Sequence, residues 1–196
     1  MSTKRPMICV YCGSRPGHDP AYAEAARTLG KAIAAAGWGL IYGAGDAGLM
    51  GITARAALDD GAPVLGFIPR RLIGREEAID TLTATVVTET MHERKKLMME
   101  NADAVIALPG GIGTLDELVE AITWRQLAIV DKPVFLLNAC SYFDPFLGLM
   151  RHVIENGFAD PDLMELFEVV PTPEAAISRV GHVLAGGIAL RGAATG

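Results

Sequence analysis

Cysteine is scarce in this sequence, and the scarcity argues against two kinds of protein. The three cysteines, Cys9, Cys12 and Cys140, are odd in number and give no disulfide framework of the sort found in small secreted domains. Cys9 and Cys12 have the C-x-x-C spacing of a redox pair. However, Cys9 lies inside an apolar run that predicts a strand, whereas a thioredoxin-type pair opens a helix. We therefore interpret the cysteines as core and loop residues.

Long uncharged runs and excess positive charge are also missing. No segment reaches the roughly 18 apolar residues that a membrane span requires. Residues 1–6 lead directly into a strand without the apolar core of a signal peptide, so we expect a cytoplasmic protein. The net charge of −6 argues against a general nucleic-acid binder. Any recognition of phosphate must therefore be local.

Histidine is too sparse to suggest a metal centre. Four histidines are scattered without H-x-x-x-H or similar spacing, and we interpret them as loop or helix-surface residues: His18, His92, His152 and His182. The sequence therefore predicts no metal site.

Apolar residues and glycine, by contrast, are abundant. With 196 residues, 51% of them hydrophobic and 22 of them glycine, the chain suits one domain with a sizeable core. We expect residues 1–185 to form a nucleotide-binding domain and residues 186–196 to form a flexible tail.

Short apolar runs alternate with helix-like segments along the chain. The runs predict buried strands at residues 7–11, 39–42, 63–68, 85–87, 104–108, 132–138 and 167–170. Helices are predicted between them, including residues 21–36, 142–156 and 173–184. This alternation indicates an α/β fold, a Rossmann-like doubly wound parallel sheet in a single domain. Ligands of such sheets bind beyond the carboxyl ends of the strands.

One glycine-rich segment stands out, directly after the apolar run 104–108. It reads Pro109-Gly110-Gly111-Ile112-Gly113-Thr114-Leu115-Asp116-Glu117 and leads into a helical pattern. Its glycines let the backbone approach a ligand closely, and the free N–H groups of a helix's first turn bind an anion, most often phosphate. Thr114 and Glu117 also fit a capping box, in which the glutamate merely bonds back to the helix's first amide. Both interpretations remain open at this point.

A second glycine turn, Gly43-Ala44-Gly45-Asp46-Ala47-Gly48, matches the dinucleotide fingerprint G-x-G-x-x-G. It follows the second predicted strand rather than the first, and no strand ending in an acidic residue follows about 20 positions later. A nicotinamide site is therefore disfavoured. The turn either admits part of a mononucleotide, which makes Gly43 and Gly45 candidate contacts, or packs a strand against a helix.

Charged residues mark the region between these two turns. Residues 70–83 predict an exposed loop that carries Glu76. Thr90 and Glu93 then fit the capping box of a helix in which Arg94 and Lys95 occupy the first turns. Cations are mildly unfavourable at the positive end of a helix, so this pair suggests a nearby anion, while solvation at the surface is the alternative explanation for Lys95 and Lys96.

The segment Met91-His92-Glu93-Arg94-Lys95 and the motif Pro-Gly-Gly-x-Gly-Thr-x-x-Glu at 109–117 together resemble the paired signature of a known family. This is the Lonely Guy (LOG) family, the cytokinin riboside 5′-monophosphate phosphoribohydrolases, whose members are often mislabelled lysine decarboxylases. The similarity extends from about Ile8 to Phe158. It takes in Cys12-Gly13-Ser14, the second glycine turn and Asp131-Lys132-Pro133.

The resemblance implies hydrolysis of the N-glycosidic bond of N6-substituted AMP, which releases a cytokinin base and ribose 5-phosphate. It implies that Arg94 and Glu117 are the catalytic residues, and that Glu76, Thr123 and the glycine-rich segment contact substrate. The candidate contacts in that segment are Gly110, Gly111, Ile112, Gly113, Thr114, Leu115, Asp116 and Glu117. No cofactor is expected, because a pyridoxal phosphate decarboxylase needs a Schiff-base lysine in a much larger fold.

The resemblance also implies a homodimer. Apolar residues on the predicted helices, including Leu97, Met98 and Met99, would offer a surface for it.

The residues themselves suggest how such a reaction would proceed. The predicted topology brings Ser14, Gly43, Arg94 and Glu117 to one crevice. The amides of Gly111 to Thr114, with Lys95, would hold a phosphate and leave the sugar near Glu117. A carboxylate there stabilises the positive charge of an oxocarbenium-like state and orients water, while Arg94 keeps it ionised or steadies the departing base.

Two other functions suit the same sequence. One is a general nucleosidase acting on AMP and other purine 5′-monophosphates, because the adenine pocket cannot be read from these residues. The other is a nucleotide-binding sensor without turnover, which needs the glycines and a cation but no carboxylate at the sugar. The Arg94 and Glu117 pair is the feature that favours an enzyme.

Overall fold

The computed structural model describes residues 5–74, 79 and 81–186. Along this part of the chain, strands and helices alternate as predicted. The strands are β1 (Met7–Tyr11), β2 (Gly39–Tyr42), β3 (Val64–Pro69), β4 (Ala84–Thr88), β5 (Ala104–Ala107), β6 (Val134–Leu137) and β7 (Glu168–Val170). The helices are α1 (Pro20–Ala35), α2 (Gly48–Asp59), α3 (Met91–Asn101), α4 (Ile112–Gln126), α5 (Asp144–Glu155) and α6 (Pro173–Leu184).

The strands form one parallel sheet in the order β4-β3-β2-β1-β5-β6-β7. Ile8 of β1 lies between Leu40 of β2 and Ala104 of β5. The chain therefore winds one way from β1 to β4 and the other way from β5 to β7. The predicted doubly wound fold is confirmed, and its reversal point lies between β1 and β5, where such sheets bind ligands.

Two apolar layers cover the sheet. Helices α1, α2 and α6 pack on one face through side chains such as Leu29, Leu49 and Val180. Helices α3, α4 and α5 cover the other face, with Leu118 and Leu147 among the buried residues. Both faces being covered explains why the strands are continuous apolar runs rather than alternating patterns.

One prediction about α3 is wrong. Met98 and Met99 were expected to contribute to an exposed apolar surface, but they are only 1% and 2% exposed. The reason is that α3 lies directly on β1, β2 and β3 and directs both methionines into the core of the sheet. Leu97 is partly buried against the same core. Burial on this face also fixes the helix that carries Arg94 and Lys95.

Two element boundaries differ from prediction for identifiable reasons. Strand β6 begins two residues late, at Val134, because Pro133 before it has no N–H to donate to the ladder; the Lys132 ammonium bonds to the carbonyl of Ala102 at the end of α3. Helix α5 begins at Asp144 because a short 3-10 turn precedes it and the Phe143 amide donates to Asn138 Oδ1 at 2.7 Å. Tyr142 thereby stays outside the helix.

Some predictions fall outside the described residues. Glu76 is among them, as is the predicted tail 186–196 apart from Gly186. Across the ranges that are described, no helix is both long and apolar enough to cross a membrane.

Candidate active site

A cleft of about 580 Å³ opens at the carboxyl edge of the sheet, where the loops after β1 and β5 diverge. The loop after β1 and the start of α2 form one wall. The other walls come from α3, from the glycine-rich segment and from the start of α4. Ser14, Arg94, Glu117 and the glycines of the segment line the cleft, as the sequence predicted.

The first turn of α4 faces this cleft without a cap. Gly111 is the residue before the helix, and none of the described side chains caps its end. The N–H groups of Ile112, Gly113 and Thr114 have no acceptor inside the helix, because the first turn of any α-helix lacks one. A β-carbon at Gly111 or Gly113 would meet nothing within 4 Å. The geometry thus leaves room for an anion close to these amides.

The capping box proposed for Thr114 and Glu117 does not form. Helix α4 begins before Thr114, which is buried as the third residue of the helix. A β-carbon at Gly110 would overlap the Thr114 hydroxyl, so threonine here packs against the glycine turn. Glu117 is left to interact across the cleft rather than with its own helix.

The turn that resembles a dinucleotide fingerprint is filled by protein. The carbonyl of Gly13 accepts hydrogen bonds from the amides of Leu49 and Met50, at 2.9 and 3.3 Å, in the first turn of α2. Gly13 also donates to the carbonyl of Pro109 at 3.0 Å. The first-turn amides of α2 are therefore bonded to the loop after β1, and that loop is bonded in turn to the loop after β5. Of the two interpretations of this turn, the geometry favours packing.

Gly43 has a definite role in this packing. Its β-carbon, if present, would overlap Arg94 Nη2, so glycine is needed for the arginine to cross the end of β2. Gly45 is buried in the same turn, and neither glycine lines the cleft. The structure thus links Gly43 to the site through Arg94 rather than by direct contact with the cleft.

Arg94 and Glu117 meet across the floor of the cleft. Arg94 Nη2 donates to Glu117 Oε1 at 3.4 Å, and Arg94 Nη1 approaches the sulfur of Met91 at 3.6 Å. The two side chains are 9% and 12% exposed. Arg94 Nε is buried and has no hydrogen-bond partner among the described residues. The predicted pair is therefore present, with donor capacity left on the arginine.

Burial dominates the titration of Glu117. Removal of the carboxylate from water raises the pKa of Glu117 to about 7, although Arg94 opposes the shift. Asp116 and Glu120 on the same helix add to the rise, and Lys95 works against it. Close to neutral pH this carboxyl group can both accept and release a proton, which is the property required of a general base or acid.

Lys95 has carboxylate partners of its own. Its ammonium donates to Asp116 Oδ2 at 3.0 Å and to Glu120 Oε2 at 2.9 Å. Burial opposes the charged form, but the hydrogen bonds of Glu120 and Asp116 outweigh it and raise the pKa of Lys95. The cation predicted to hold phosphate is thus engaged in joining α3 to α4.

Aromatic and thioether side chains complete the walls. Tyr22 and Tyr142 meet edge to face with ring centroids 5.8 Å apart. The Tyr142 hydroxyl donates to the carbonyl of Gly110 and so supports the glycine turn. Met50 and Met91 also line the cleft. Sequence reasoning missed these four, because each comes from a loop or helix start that only the topology brings to this edge.

Two predicted contacts lie elsewhere on α4. Leu115 and Thr123 line a shallower groove on the outer side of the helix, together with Val119 and Trp124. The Thr123 hydroxyl bonds to the carbonyl of Val119 at 2.8 Å, one turn earlier. Helical periodicity explains the separation, since neither residue shares the face of α4 that carries Glu117. Within the described ranges, no cluster of three or more potential ligands is placed to hold a metal ion.

Comparison with known proteins identifies the family. A sequence model of the family described as "Possible lysine decarboxylase" matches residues 50–180. The rice (Oryza sativa subsp. japonica) cytokinin riboside 5'-monophosphate phosphoribohydrolase LOG is 43% identical over 173 residues, covering 88% of this chain and 72% of the rice protein. The Arabidopsis thaliana protein LOG3, which has the same enzyme name, is 42% identical over 88% of this chain and 80% of its own. The chain belongs to the Lonely Guy (LOG) family.

Solved structures agree with this assignment at the level of fold. The molybdenum cofactor carrier protein of Chlamydomonas reinhardtii superposes on this LOG-family chain with a TM-score of 0.71 and 25% identity, covering 93% of this chain and 99% of the other. The molybdenum cofactor binding protein of Rippkaea orientalis gives a TM-score of 0.70 at 22% identity, which supports the fold alone. The family predicted from the sequence motifs is confirmed, and its named relatives are enzymes.

Proposed function

We propose that this LOG-family protein hydrolyses the N-glycosidic bond of cytokinin riboside 5′-monophosphates, releasing the free base and ribose 5-phosphate. The relatives are named for this substrate class. One observation within the chain carries the proposal: a buried carboxylate, paired with a buried arginine, lies just beyond the uncapped first turn of α4. This arrangement would place an anchored phosphate and a reactive carboxyl group a sugar's length apart.

The phosphate end of the substrate would be held by the start of α4. The N–H groups of Ile112, Gly113 and Thr114 would donate to its oxygens, and the positive end of the helix dipole would favour its charge. Gly111 and Gly113 would let the phosphate approach because their missing side chains leave that space open. The ribose would then extend along the helix towards Glu117.

Glu117 would serve the bond-breaking step. Water attacks C1′ of the ribose, the bond from C1′ to the base nitrogen breaks, and the base leaves with the bonding electron pair. The ionised carboxylate would stabilise the positive charge that develops on the sugar and take a proton from the attacking water. Glu117 would then pass this proton to the departing base, so the reaction consumes one water and regenerates the ionised carboxylate.

Arg94 would support this step in two ways. Its positive charge lowers the pKa of Glu117 and so retains a fraction of the reactive ionised form despite burial. Its guanidinium also lines the cleft, and its donor capacity beyond the bond to Glu117 would serve the departing base. A sensor that only binds nucleotide would need neither the buried carboxylate nor this spare donor.

The decisive experiment is incubation of the purified protein with isopentenyladenosine monophosphate and, separately, with AMP. We expect chromatography to show free isopentenyladenine and ribose 5-phosphate from the first. Preferential release of adenine from AMP would instead favour the general nucleosidase. Tight binding of both nucleotides with no release of base from either would favour the sensor.

We further propose that the protein forms a homodimer through the outer side of α4. The sequence suggested the α3 methionines, which are buried. The exposed apolar residues lie instead on α4 and in the turn that follows it: Ile112, Val119, Leu127 and Ile129. An apolar helix face of this kind is suited to association. Sedimentation should give a mass near twice the chain mass of 20.7 kDa. Val119→Arg should shift the mass towards the monomer, whereas a monomeric unmodified protein would contradict the proposal.

A further inference from the structure

The charges around the cleft do not yet account for the binding of an anion. Arg94 is paired with Glu117, and Lys95 is shared between Asp116 and Glu120. Both cations are therefore engaged by carboxylates: Glu117 and Asp116 line the cleft, and Glu120 lies in the neighbouring groove. A phosphate brought to the first turn of α4 would then find no unpaired charge on either cation, and the helix amides alone carry only partial charges.

A third cation lines the same cleft. Arg15 follows the turn after β1, and its residue is exposed at the mouth of the cleft. Within the described part of the chain, it is the cleft-lining cation that no carboxylate engages. Among the described residues that line the cleft, Arg15 makes three cations against two carboxylates. Its guanidinium is free to form two parallel hydrogen bonds with a phosphate.

The backbone around Arg15 is held in place by two glycines. A β-carbon at Gly48, where φ is +60°, would overlap the Arg15 nitrogen. A β-carbon at Gly13 would lie 3.0 Å from the Arg15 carbonyl and 3.1 Å from the α-carbon of Gly110. The backbone of Arg15 therefore lies between the start of α2 and the glycine turn before α4. The amide of Gly13, two residues before Arg15, donates directly to the carbonyl of Pro109 at the start of that turn.

We propose that Arg15 is a substrate-binding residue that holds the 5′-phosphate over the first turn of α4. The sequence assigned this role to Lys95, whose ammonium already has two carboxylate partners. The inference rests on the proposed function in one respect, that the substrate is a nucleoside 5′-monophosphate. Arg15 supplies a full positive charge where the helix supplies oriented amides, and the two together distinguish a nucleotide from a nucleoside.

Ribose 5-phosphate is the probe for the test, because it carries the phosphate and sugar but has no glycosidic bond to break. Its affinity is measured by calorimetry for the unmodified protein and for Arg15→Gln, Arg15→Lys and Arg151→Gln. We expect Arg15→Gln to weaken binding about tenfold or more, which is the scale of a charge-assisted hydrogen bond. Arg15→Lys should recover part of the loss. Arg151→Gln removes the same charge from an exposed position of α5 outside the cleft and should bind normally.

Salt dependence provides a second readout of the same charge. Raising the ionic strength screens the attraction between exposed charges, so added salt should weaken ribose 5-phosphate binding to the unmodified protein more than to Arg15→Gln. In turnover assays, Arg15→Gln should raise KM for the nucleotide and leave kcat within a few-fold.

The outcomes separate this inference from the proposed function. If the protein hydrolyses the nucleotide but Arg15→Gln binds ribose 5-phosphate with unchanged affinity, the role of Arg15 is refuted alone. If ribose 5-phosphate binds through Arg15 but no nucleotide is ever cleaved, the proposed function fails and the role of Arg15 stands. Absence of ribose 5-phosphate binding, or insensitivity of binding to salt, also overturns the inference.

Discussion

Replacing Glu117 by glutamine should make the protein less active and more stable at the same time. The substitution keeps the size of the side chain and removes its charge. Since Glu117 makes no capping bond to its own helix, its loss of charge does not remove a cap. Turnover of the nucleotide should fall about a hundredfold or more, the usual scale for one positioned acid or base. Affinity for ribose 5-phosphate should change much less.

The stability change follows from the pKa of the carboxyl group. Burial raises the pKa of Glu117 from 4.5 to about 7, so the folded protein binds this proton more tightly than the unfolded chain does. Folding stability must then fall as pH rises from about 4.5 to about 7, because the unfolded state ionises first. Raising the pKa of Glu117 from 4.5 to about 7, at about 1.36 kcal/mol per pH unit, corresponds to a loss of about 3 kcal/mol in the free energy of unfolding.

The Glu117→Gln variant should not lose folding stability in this way as pH rises, because glutamine does not ionise. At pH 8 the variant should melt higher than the unmodified protein by on the order of 5–10 °C for a chain of this length. Below pH 4.5 the difference should become small, since the native carboxyl group is then protonated as well.

Thermal denaturation across pH, combined with a turnover assay, checks both halves of the prediction. Glu155→Gln is the matched control, because it removes one carboxylate from an exposed position at the end of α5 and should alter neither property. If Glu117→Gln turns over substrate as fast as the unmodified protein, the carboxylate has no catalytic role. If its stability difference is the same at every pH, the burial argument is wrong.

Three further predictions concern the same cleft. The value of kcat/KM should fall as pH drops through about 7, because the reactive form of Glu117 is the ionised one and its pKa is about 7. A rise in kcat/KM on acidification would contradict this. The 5′-monophosphate should be cleaved far faster than the plain riboside, and equal rates would remove the first turn of α4 from the mechanism. Gly111→Val should weaken nucleotide binding without lowering the melting temperature, whereas Gly110→Ala should lower it, because only the second substitution overlaps the Thr114 hydroxyl. Calorimetry and thermal melts distinguish the two glycines, and equal melting temperatures would contradict the assignment.

Several features of the site were predictable from the sequence alone. The apolar runs determined the central strands because β1, β2, β5 and β6 are buried on both faces of a covered parallel sheet. The position of the glycine-rich segment after such a strand then placed the start of α4 at the ligand-binding edge. Arg94 and Glu117 could be paired in advance because their helices follow strands that end at the same edge.

Other features depend on how helices meet, which no local pattern encodes. Lys95 is shared between Asp116 and Glu120 because α3 and α4 pack side by side at a particular register. The Gly13 carbonyl occupies the first amides of α2 only because two loops converge there. Met98 and Met99 look like an exposed pair in the sequence and are buried by the position of α3 on the sheet.

The pairing of β1 with β5 has a consequence for how the chain folds. Ile8 lies opposite Ala104, so the two loops that build the cleft are almost one hundred residues apart in the sequence. Closing a loop of this size costs conformational entropy before any favourable contact forms, so strands this far apart in the sequence pair slowly. During synthesis the cleft cannot exist until β5 has emerged, and a nascent chain that ends after β4 presents β1 as an unpaired edge open to aggregation. A nucleotide can therefore stabilise the finished protein but cannot assist the early steps of its folding.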